Sequence, residues 1–242
     1  MSFLKISANP GEWHDEAFNP DFAILRKTAK NDFIQQVKIA AKKLFDSAQA
    51  SHDWDHTLRV HKLCVKIGEK EGADMDVLET AAYLHDIGRS HQDKAKGTIC
   101  HAKKGAELAK DLIRNLPVSE IQKGNIIHCI LSHRFRGGNF PQTNEAKILF
   151  DADKIDAIGA VGVARAFLFA GEVGARLHNS EANIETTKPY SVEDTGYREY
   201  IIKLSKIKDR MLTPEGKKIA DKRHKFMESF FKRFLKELEG II

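Results

Sequence analysis

The sequence has few of the features that mark membrane, secreted or disulfide-rich proteins. It contains no stretch approaching the roughly 18–20 apolar residues that a membrane-spanning helix needs. The start of the chain carries Lys5 inside its only apolar patch and lacks the hydrophobic segment of a signal peptide. The three cysteines are odd in number and widely spaced, which is typical of buried thiols in a reducing compartment. We therefore expect a cytoplasmic protein with no membrane partner.

Patterns of β structure are also missing. No segment shows clean alternation of apolar and polar residues, and no internal repeat is visible. Apolar residues recur at helical spacing from Asn31 onward, with Asn31 or Asp32 available as the first N-cap. Further helical patterns cover roughly 53–71, 75–87, 101–115, 118–134, 144–157 and 159–171, followed by long ones near 196–213 and 215–239. We predict an all-α fold, a helical bundle with sites built between its helices.

Three regions interrupt these helical patterns. Residues 1–30 lack a sustained period, and we expect an irregular N-terminal arm there. The segments Arg89–Cys100 and Gly174–Asp194 read as loops, and loops this long in a compact domain are often functional. We expect residues 31–242 to form a single domain that ends in two long helices, at about 196–240.

Neither sign of charge is in large excess, because 39 basic side chains face 34 acidic ones and the net charge is +5. Much of the excess lies in the last third, where lysines alternate with apolar residues at helical spacing. That pattern is typical of a solvated helix face, and we expect no specific nucleic-acid partner. A mild positive field favours small anionic substrates such as nucleotides.

Histidine is abundant, with eleven residues. His85 follows Leu78 and Ala81 on the apolar face of one helix, so its ring is expected to point inward. A lone inward histidine is more often a hydrogen-bonded core residue than a ligand. Here Asp86 follows directly, and a buried carboxylate is costly unless it is paired or bound to a metal. We expect Gly88 to end this helix beside a loop.

Two neighbouring helical patterns carry similar inward residues. His56 begins an inward stripe that runs to Ile67, and Asp153 lies on the apolar face of a third helix. Asp151 lies two residues before Asp153 and points to roughly the opposite side of a helix, so both cannot easily bind one ion. Asp156, about one turn after Asp153, is placed to contact a metal ligand instead of the metal itself.

A bound cation explains why ionisable residues recur on three successive apolar helix faces. It neutralises carboxylates and accepts imidazole lone pairs, which removes most of the cost of burying them. The set contains nitrogen and oxygen but no thiolate, which favours Mn, Fe, Co, Ni or Mg over structural zinc. We expect the metal to lie in a core at about 50–172, bound by His56, His85, Asp86 and Asp153.

The pattern His56, His85-Asp86 and Asp153 resembles the H…HD…D signature of the HD superfamily of metal-dependent phosphohydrolases. The local context is similar too: His-Asp-Trp-Asp-His-Thr-Leu-Arg-Val at 52–60, Tyr-Leu-His-Asp-Ile-Gly-Arg at 83–89, and Asp-Ala-Asp-Lys-Ile-Asp-Ala-Ile-Gly-Ala-Val-Gly-Val-Ala-Arg at 151–165. The resemblance is closest to small bacterial and archaeal HD hydrolases, in which the second Asp of Asp-Ala-Asp is the ligand. It covers roughly residues 35–240 and implies an HD-type helical bundle with a divalent metal.

Some relatives hold two metals through two further histidines. His101 resembles the first of these, and His133 or His128 could be the second. His128 and His133 differ by five residues, about 140° around a helix, so one helix is not expected to direct both at one ion. We prefer His133, which ends its helical pattern. One and two ions remain open, because substrate contact or a structural role would also explain these histidines.

The resemblance implies hydrolysis of a phosphate ester or anhydride, with a nucleotide as the expected substrate class. Asp86 would orient a water, and Lys154 and Arg89 would contact the phosphoryl group. Arg59, Lys103 and Lys104 are weaker candidates for substrate binding. Arg89 and Ser90 stand where the relatives that hydrolyse the stringent-response nucleotide carry acidic residues, and Arg136-Gly-Gly-Asn-Phe-Pro replaces the Gly-Tyr-Pro motif of cyclic-dinucleotide phosphodiesterases. Neither substrate is therefore inferred.

Three alternatives stay open from the sequence. A dimetal iron site in this superfamily can catalyse oxygenation. His101, as a possible ligand of a second ion, is the residue that leaves this alternative open. The domain could also bind a nucleotide as a sensor without turnover, although its complete ligand set argues against this. His52 and His56 have the spacing of a zinc-peptidase helix, but an Asp occupies the position where that helix needs a Glu as its general base. A homodimer is compatible with all of these readings.

Overall fold

The computed structural model describes residues 20–45, 54–95, 97–134, 138–181 and 183–242, with side chains from residue 32 onward. These ranges contain α-helices and short 3₁₀ turns but no strand, which confirms the predicted all-α fold. None of the described helices has the length and apolarity needed to cross a bilayer. The helices are α1 Pro20–Phe45, α2 Trp54–Glu71, α3 Met75–Leu84, α4 Arg89–Lys94, α5 His101–Ile113, α6 Glu120–Ser132, α7 Asn144–Asp156, α8 Gly159–Glu172, α9 Gly196–Ile202 and α10 Pro214–Leu238.

The core lies between α2, α3, α6 and α7. α2 packs against α3 and α7, α6 packs against α3, α5 and α7, and α10 covers α7 and α8. The inward faces are aliphatic, and burial of each Leu or Ile side chain contributes about 1.5–3 kcal/mol to the free energy of folding. Examples from α2, α3, α6 and α7 are Ile67, Leu78, Ile130, Leu149 and Ile155.

Side-chain caps fix where several of these helices begin. The side chain of Asp74 accepts from two backbone N–H groups at the start of α3, and Ser119 forms a capping box with Gln122 at the start of α6. Thr213 caps α10 through its side chain, and Pro214 begins the helix. Asp151 joins α7 to this cap, because it accepts hydrogen bonds from the backbone N–H groups of Leu212 and Thr213 at 2.8 Å each.

The start of α1 differs from the prediction. The helix begins at Pro20, so the expected irregular arm is wrong for residues 20–30, and residues 1–19 lie outside the described part of the chain. Asn31 and Asp32 lie inside the helix and do not cap it. Residues 20–30 include several good helix formers but no amphipathic period, so a search for an apolar stripe misses them.

Two further boundaries were also wrong. α3 ends at Leu84, whereas a helix ended by Gly88 would have continued to Ile87. The segment Arg89–Cys100, which was expected to be a loop, contains α4. Gly88 lies against the backbone of α5, where a Cβ would be 2.3 Å from the carbonyl oxygen of His101 and 2.5 Å from the amide nitrogen of Gly105. That close approach is compatible only with glycine, and it sets the turn between α3 and α4.

The expected long helix at 196–213 is also wrong, because α9 ends at Ile202. Two 3₁₀ helices follow, at Leu204–Lys206 and Lys208–Arg210. Leu204 and Ile207 are buried and three residues apart, a spacing that suits a 3₁₀ turn as well as an α-helix. The segment from Gly174 to Asp194 has no helix or strand among its described residues, in agreement with the predicted loop.

Candidate metal centre

Four buried histidines come together at the ends of four helices. His56 lies in the first turn of α2 and His101 begins α5, while His85 and His133 follow the last residues of α3 and α6. All four are at most 3% exposed, although they come from distant parts of the chain. The helix ends therefore create a polar cluster inside an otherwise aliphatic core.

Each of these histidines has an acceptor at its Nδ1 atom. His56 contacts Asp156 Oδ2 at 2.8 Å, and His101 contacts Gln92 Oε1 at 2.8 Å. The rings of His85 and His133 contact backbone carbonyl oxygens of their own helices, at 2.8 and 2.6 Å. Because these acceptors favour a proton on Nδ1, each neutral ring presents its Nε2 lone pair to the interior of the cluster.

Asp86 lies between the four Nε2 atoms. Its Oδ2 is 3.9 Å from the Nε2 atoms of His56 and His85. Its Oδ1 is 3.4 Å from His101 Nε2 and 3.5 Å from His133 Nε2. Two groups of possible ligands therefore share this carboxylate, and the ligand atoms of each group lie within 4.8 Å of one another.

Asp153 extends the first group. Its Oδ1 is 3.3 Å from His56 Nε2, and its Oδ2 accepts a hydrogen bond from Lys154 Nζ at 2.5 Å. The same ammonium donates to the backbone carbonyl of His133 at 2.9 Å. Lys154 thus connects α7 to the end of α6, and it does not pair with Asp151 or Asp156.

Burial and charge act against each other in this cluster. Burial lowers the pKa of His85 to about 4 and that of His101 to about 2, so both rings are neutral. Burial also opposes protonation of His56, but the carboxylates of Asp153 and Asp156 outweigh it and raise the pKa of His56 to about 9. Burial would raise the pKa of Asp86, yet Arg89 and the neighbouring histidines hold it well below its usual range.

The donor set fits a divalent cation. Among the described residues, His85 Nε2 is a buried atom with no hydrogen-bond partner, and it faces the shared carboxylate of Asp86. The neutral imidazoles of His85 and His101 and the ionised carboxylates are in the states that metal binding requires, whereas His56 would have to release a proton to bind the cation. The nitrogen and oxygen atoms suit Mn, Fe, Co, Ni or Mg, and no cysteine belongs to either group.

Other predicted residues lie on the border of the cluster or away from it. Arg89 Nη2 is 3.2 and 3.1 Å from the two carboxylate oxygens of Asp86, and Arg59 pairs with Asp156. Lys104 pairs with Glu107 on a more exposed side of α5, and Lys103 is exposed. These contacts give no support to Lys103 and Lys104 as substrate-binding residues.

The structure also separates the paired alternatives. His128 accepts a hydrogen bond from the backbone N–H of Gln142 and belongs to neither ligand group, whereas His133 belongs to the second. Asp151 faces the start of α10, on a different side of α7 from Asp153. His52, needed for the zinc-peptidase reading, lies outside the described residues.

Several residues around the cluster escaped the sequence-based reasoning. Gln92, which supports His101, lies in α4, where no helix was expected. Arg165 donates to Asp156 at 2.7 Å, and its place at the end of the 151–165 motif was the only signal for it. A cavity of about 600 Å³ adjoins Lys154 and is lined largely by the unpatterned segment before α9, by α9 itself and by residues after it.

Sequence comparisons match this region to known proteins. A family model described as HD domain matches residues 53–158. An uncharacterized protein of Bacillus subtilis, YpgQ, is 34% identical over 211 residues, which cover 86% of this chain and 94% of YpgQ. Ribonuclease Y of Chloroflexus aurantiacus is 29% identical over 119 residues, which cover 49% of this chain and 21% of that protein.

Solved structures show the same likeness over nearly the whole fold. An HD-superfamily hydrolase from Bacillus thuringiensis superposes with a TM-score of 0.69 and 29% identity, covering 87% of this chain and 98% of the hydrolase. Bacillus subtilis YpgQ in complex with ADP superposes with a TM-score of 0.66 and 28% identity, covering 86% and 96% of the two chains.

Proposed function

This chain belongs to the HD superfamily, and on that premise we propose that it hydrolyses a phosphate ester or anhydride of a nucleotide with the help of a divalent metal. The observation that carries the proposal is the arrangement of four Nε2 atoms around the shared carboxylate of Asp86. A structural cluster would need hydrogen-bond partners for these atoms, and His85 Nε2 has none in the described part of the chain.

His56, His85, Asp86 and Asp153 would hold the first ion, and Asp86, His101 and His133 would hold a second. A divalent cation supplies a polarised phosphoryl oxygen and a bound water of lowered pKa, which becomes a nucleophile near neutral pH. Asp86 is in reach of both groups and is the residue best placed to orient that water. The Nδ1 acceptors keep the imidazoles in one orientation and tautomer.

Cations beside the cluster would stabilise charge that develops on the phosphoryl oxygens. Lys154 is held between Asp153 and the His133 carbonyl, so its ammonium stays next to the ligands without a loop having to order first. Arg89 Nη2 donates to Asp86. The Arg89 side chain is 15% exposed beside that carboxylate, so its guanidinium would be in reach of a phosphoryl oxygen.

A nucleotide is the substrate class that the neighbours support best. YpgQ, which matches 86% of this chain in structure, has been crystallised with ADP. The cavity beside Lys154 gives this chain room for the organic part of such a molecule. Nucleoside triphosphates, pyrophosphate-containing nucleotides, monophosphates and cyclic nucleotides are all compatible with this arrangement.

The test is a hydrolysis screen with metal-free protein reloaded separately with Mn, Mg, Co, Ni and Fe. Phosphorylated metabolites would be assayed for release of phosphate or pyrophosphate, with His85→Ala as the inactive control. We expect metal-dependent release from at least one nucleotide. Binding without release under every metal would indicate a sensor, and iron-dependent oxygen uptake would indicate the oxygenase that the second ligand group keeps open.

A further inference from the structure

The cavity beside the metal centre is bounded by three parts of the fold. Lys154 of α7 forms one side, Phe169 of α8 another, and the segment 189–210 closes the rest, with a volume of about 600 Å³. This volume lies within the range of small-molecule sites in proteins. Because Lys154 also contacts Asp153, the cavity is one side chain away from the metal cluster.

An aromatic pair lies at this cavity. Tyr190 is 73% exposed, and its ring packs edge-on against Phe169, with the centroids 5.7 Å apart. The backbone of Tyr190 has a φ of 60°, the left-handed conformation that bulky side chains seldom adopt. An exposed aromatic ring in a disfavoured backbone conformation is commonly associated with a binding site.

Buried polar contacts hold Tyr190 in this position. Its backbone N–H donates to Asp194 Oδ2 at 2.7 Å, and Asp194 forms a buried ion pair with Arg198. The guanidinium of Arg198 also donates to the backbone carbonyls of Ile184 and Thr187. The loop that carries the aromatic ring is therefore anchored to α9 before any ligand arrives.

The charges at the cavity favour an anionic ligand. Its acidic residues, Asp194 and Glu199, are already engaged by Arg198 and Lys203. The lining holds four cationic side chains, from Lys154, Arg198, Lys203 and Arg210, so its cations outnumber its two carboxylates. A ligand with a flat apolar part and a negatively charged part matches the aromatic pair and this charge.

We propose that this cavity binds the base and sugar of a nucleoside phosphate, with the Phe169–Tyr190 pair packing on the base and Lys154 leading the phosphates to the metal cluster. The proposal rests on the proposed function and names the part of the substrate that the metal centre does not touch. It assigns Asp194 and Arg198 as positioning residues, because they act through the loop that carries Tyr190.

The test compares two probes, ADP and inorganic pyrophosphate, which has no base. Binding to the full metal-loaded chain would be measured by calorimetry for the unmodified protein, Tyr190→Ala, Phe169→Ala and Tyr190→Phe. Loss of a stacking ring should weaken ADP binding roughly 10-fold and leave pyrophosphate binding unchanged. Tyr190→Phe retains the ring and should bind ADP as the unmodified chain does. Phe226→Ala removes a part-exposed ring of α10, outside the cavity lining, and is the matched control.

Other outcomes overturn the assignment. Equal losses for ADP and pyrophosphate would show that the ring only supports the loop, and unchanged ADP affinity would show that the base binds elsewhere. Failure of the unmodified chain to bind ADP, GDP, CDP or UDP would also overturn it. If the selective loss of ADP binding is seen but no phosphate compound is hydrolysed, the cavity assignment stands and the proposed hydrolysis fails.

Discussion

His56 and Asp156 are 100 residues apart in the chain, and His56 Nδ1 donates a hydrogen bond to Asp156 Oδ2 over 2.8 Å. Asp156 also receives hydrogen bonds from Arg59 and Arg165, so its carboxylate is fixed from three directions. The orientation of the His56 ring is therefore set by α7 and α8, although the ring belongs to α2.

Asp156→Asn should weaken metal binding without abolishing it. The amide has nearly the shape of the carboxylate but removes the charge that orients His56, and loss of such a support typically costs about 10–100-fold in metal affinity. Metal titration of the chelator-treated protein would measure this. Glu145→Gln is the control, because Glu145 is a buried acid that contacts Asp74 and Asn125 away from the cluster. Unchanged affinity in Asp156→Asn would mean that His56 needs no support.

Two aspartates on α7 allow a sharp separation of metal binding from stability. Asp153→Ala, like His85→Ala, should lose bound metal and activity together. Asp151→Ala should keep metal, but it leaves the N–H groups of Leu212 and Thr213 without their acceptor and should cost about 2–3 kcal/mol of unfolding free energy.

Elemental analysis and chemical denaturation of both variants would provide the two measurements. Full metal occupancy in Asp153→Ala and His85→Ala would remove these residues from the ligand set. Metal loss in Asp151→Ala, with stability unchanged, would reverse the roles of the two carboxylates.

The second ligand group predicts the number of ions. Saturating metal should give two ions per chain, and His133→Ala should reduce this to one because only the second group loses a ligand. His128→Ala should change little, since that ring contacts the Gln142 backbone instead. A ratio of one ion per unmodified chain under metal excess would contradict the two-ion arrangement.

Lys154→Met should reduce turnover while leaving metal content normal. The methionine keeps most of the apolar stem but lacks the ammonium, which lies beside Asp153 and 4.9 Å from the centre of the Phe150 ring. Removal of one electrostatic donor typically lowers kcat and kcat/KM together by roughly 10²-fold. Lys104→Met is the matched control, because Lys104 forms only a surface pair with Glu107. Turnover at the unmodified rate would leave Lys154 with a structural role.

Helical periodicity was sufficient to identify several inward residues of the cluster. His56 begins one apolar stripe and His85 ends another, and both side chains are buried as that pattern predicted. The five-residue offset of His128 and His133 predicted that one helix does not direct both rings at one ion, and of the two His133 belongs to a ligand group. These inferences depend on the geometry of single helices, which a sequence pattern describes well.

The surroundings of the cluster could not be predicted in the same way. Gln92 approaches His101 only because the chain forms α4 after Gly88, and no apolar period marks a helix of six residues. The position of Tyr190 depends on a buried ion pair and on backbone carbonyls of the loop, and neither has a sequence period. The positions of Gln92 and Tyr190 therefore depend on how unpatterned segments pack in the folded chain, which helical periodicity does not describe.

The contact of Gly88 with the α5 backbone couples the turn that carries His85 and Asp86 to the helix that begins with His101. A side chain at position 88 would meet the main chain of α5, so the distance between Asp86 and His101 depends on a residue that has no side chain.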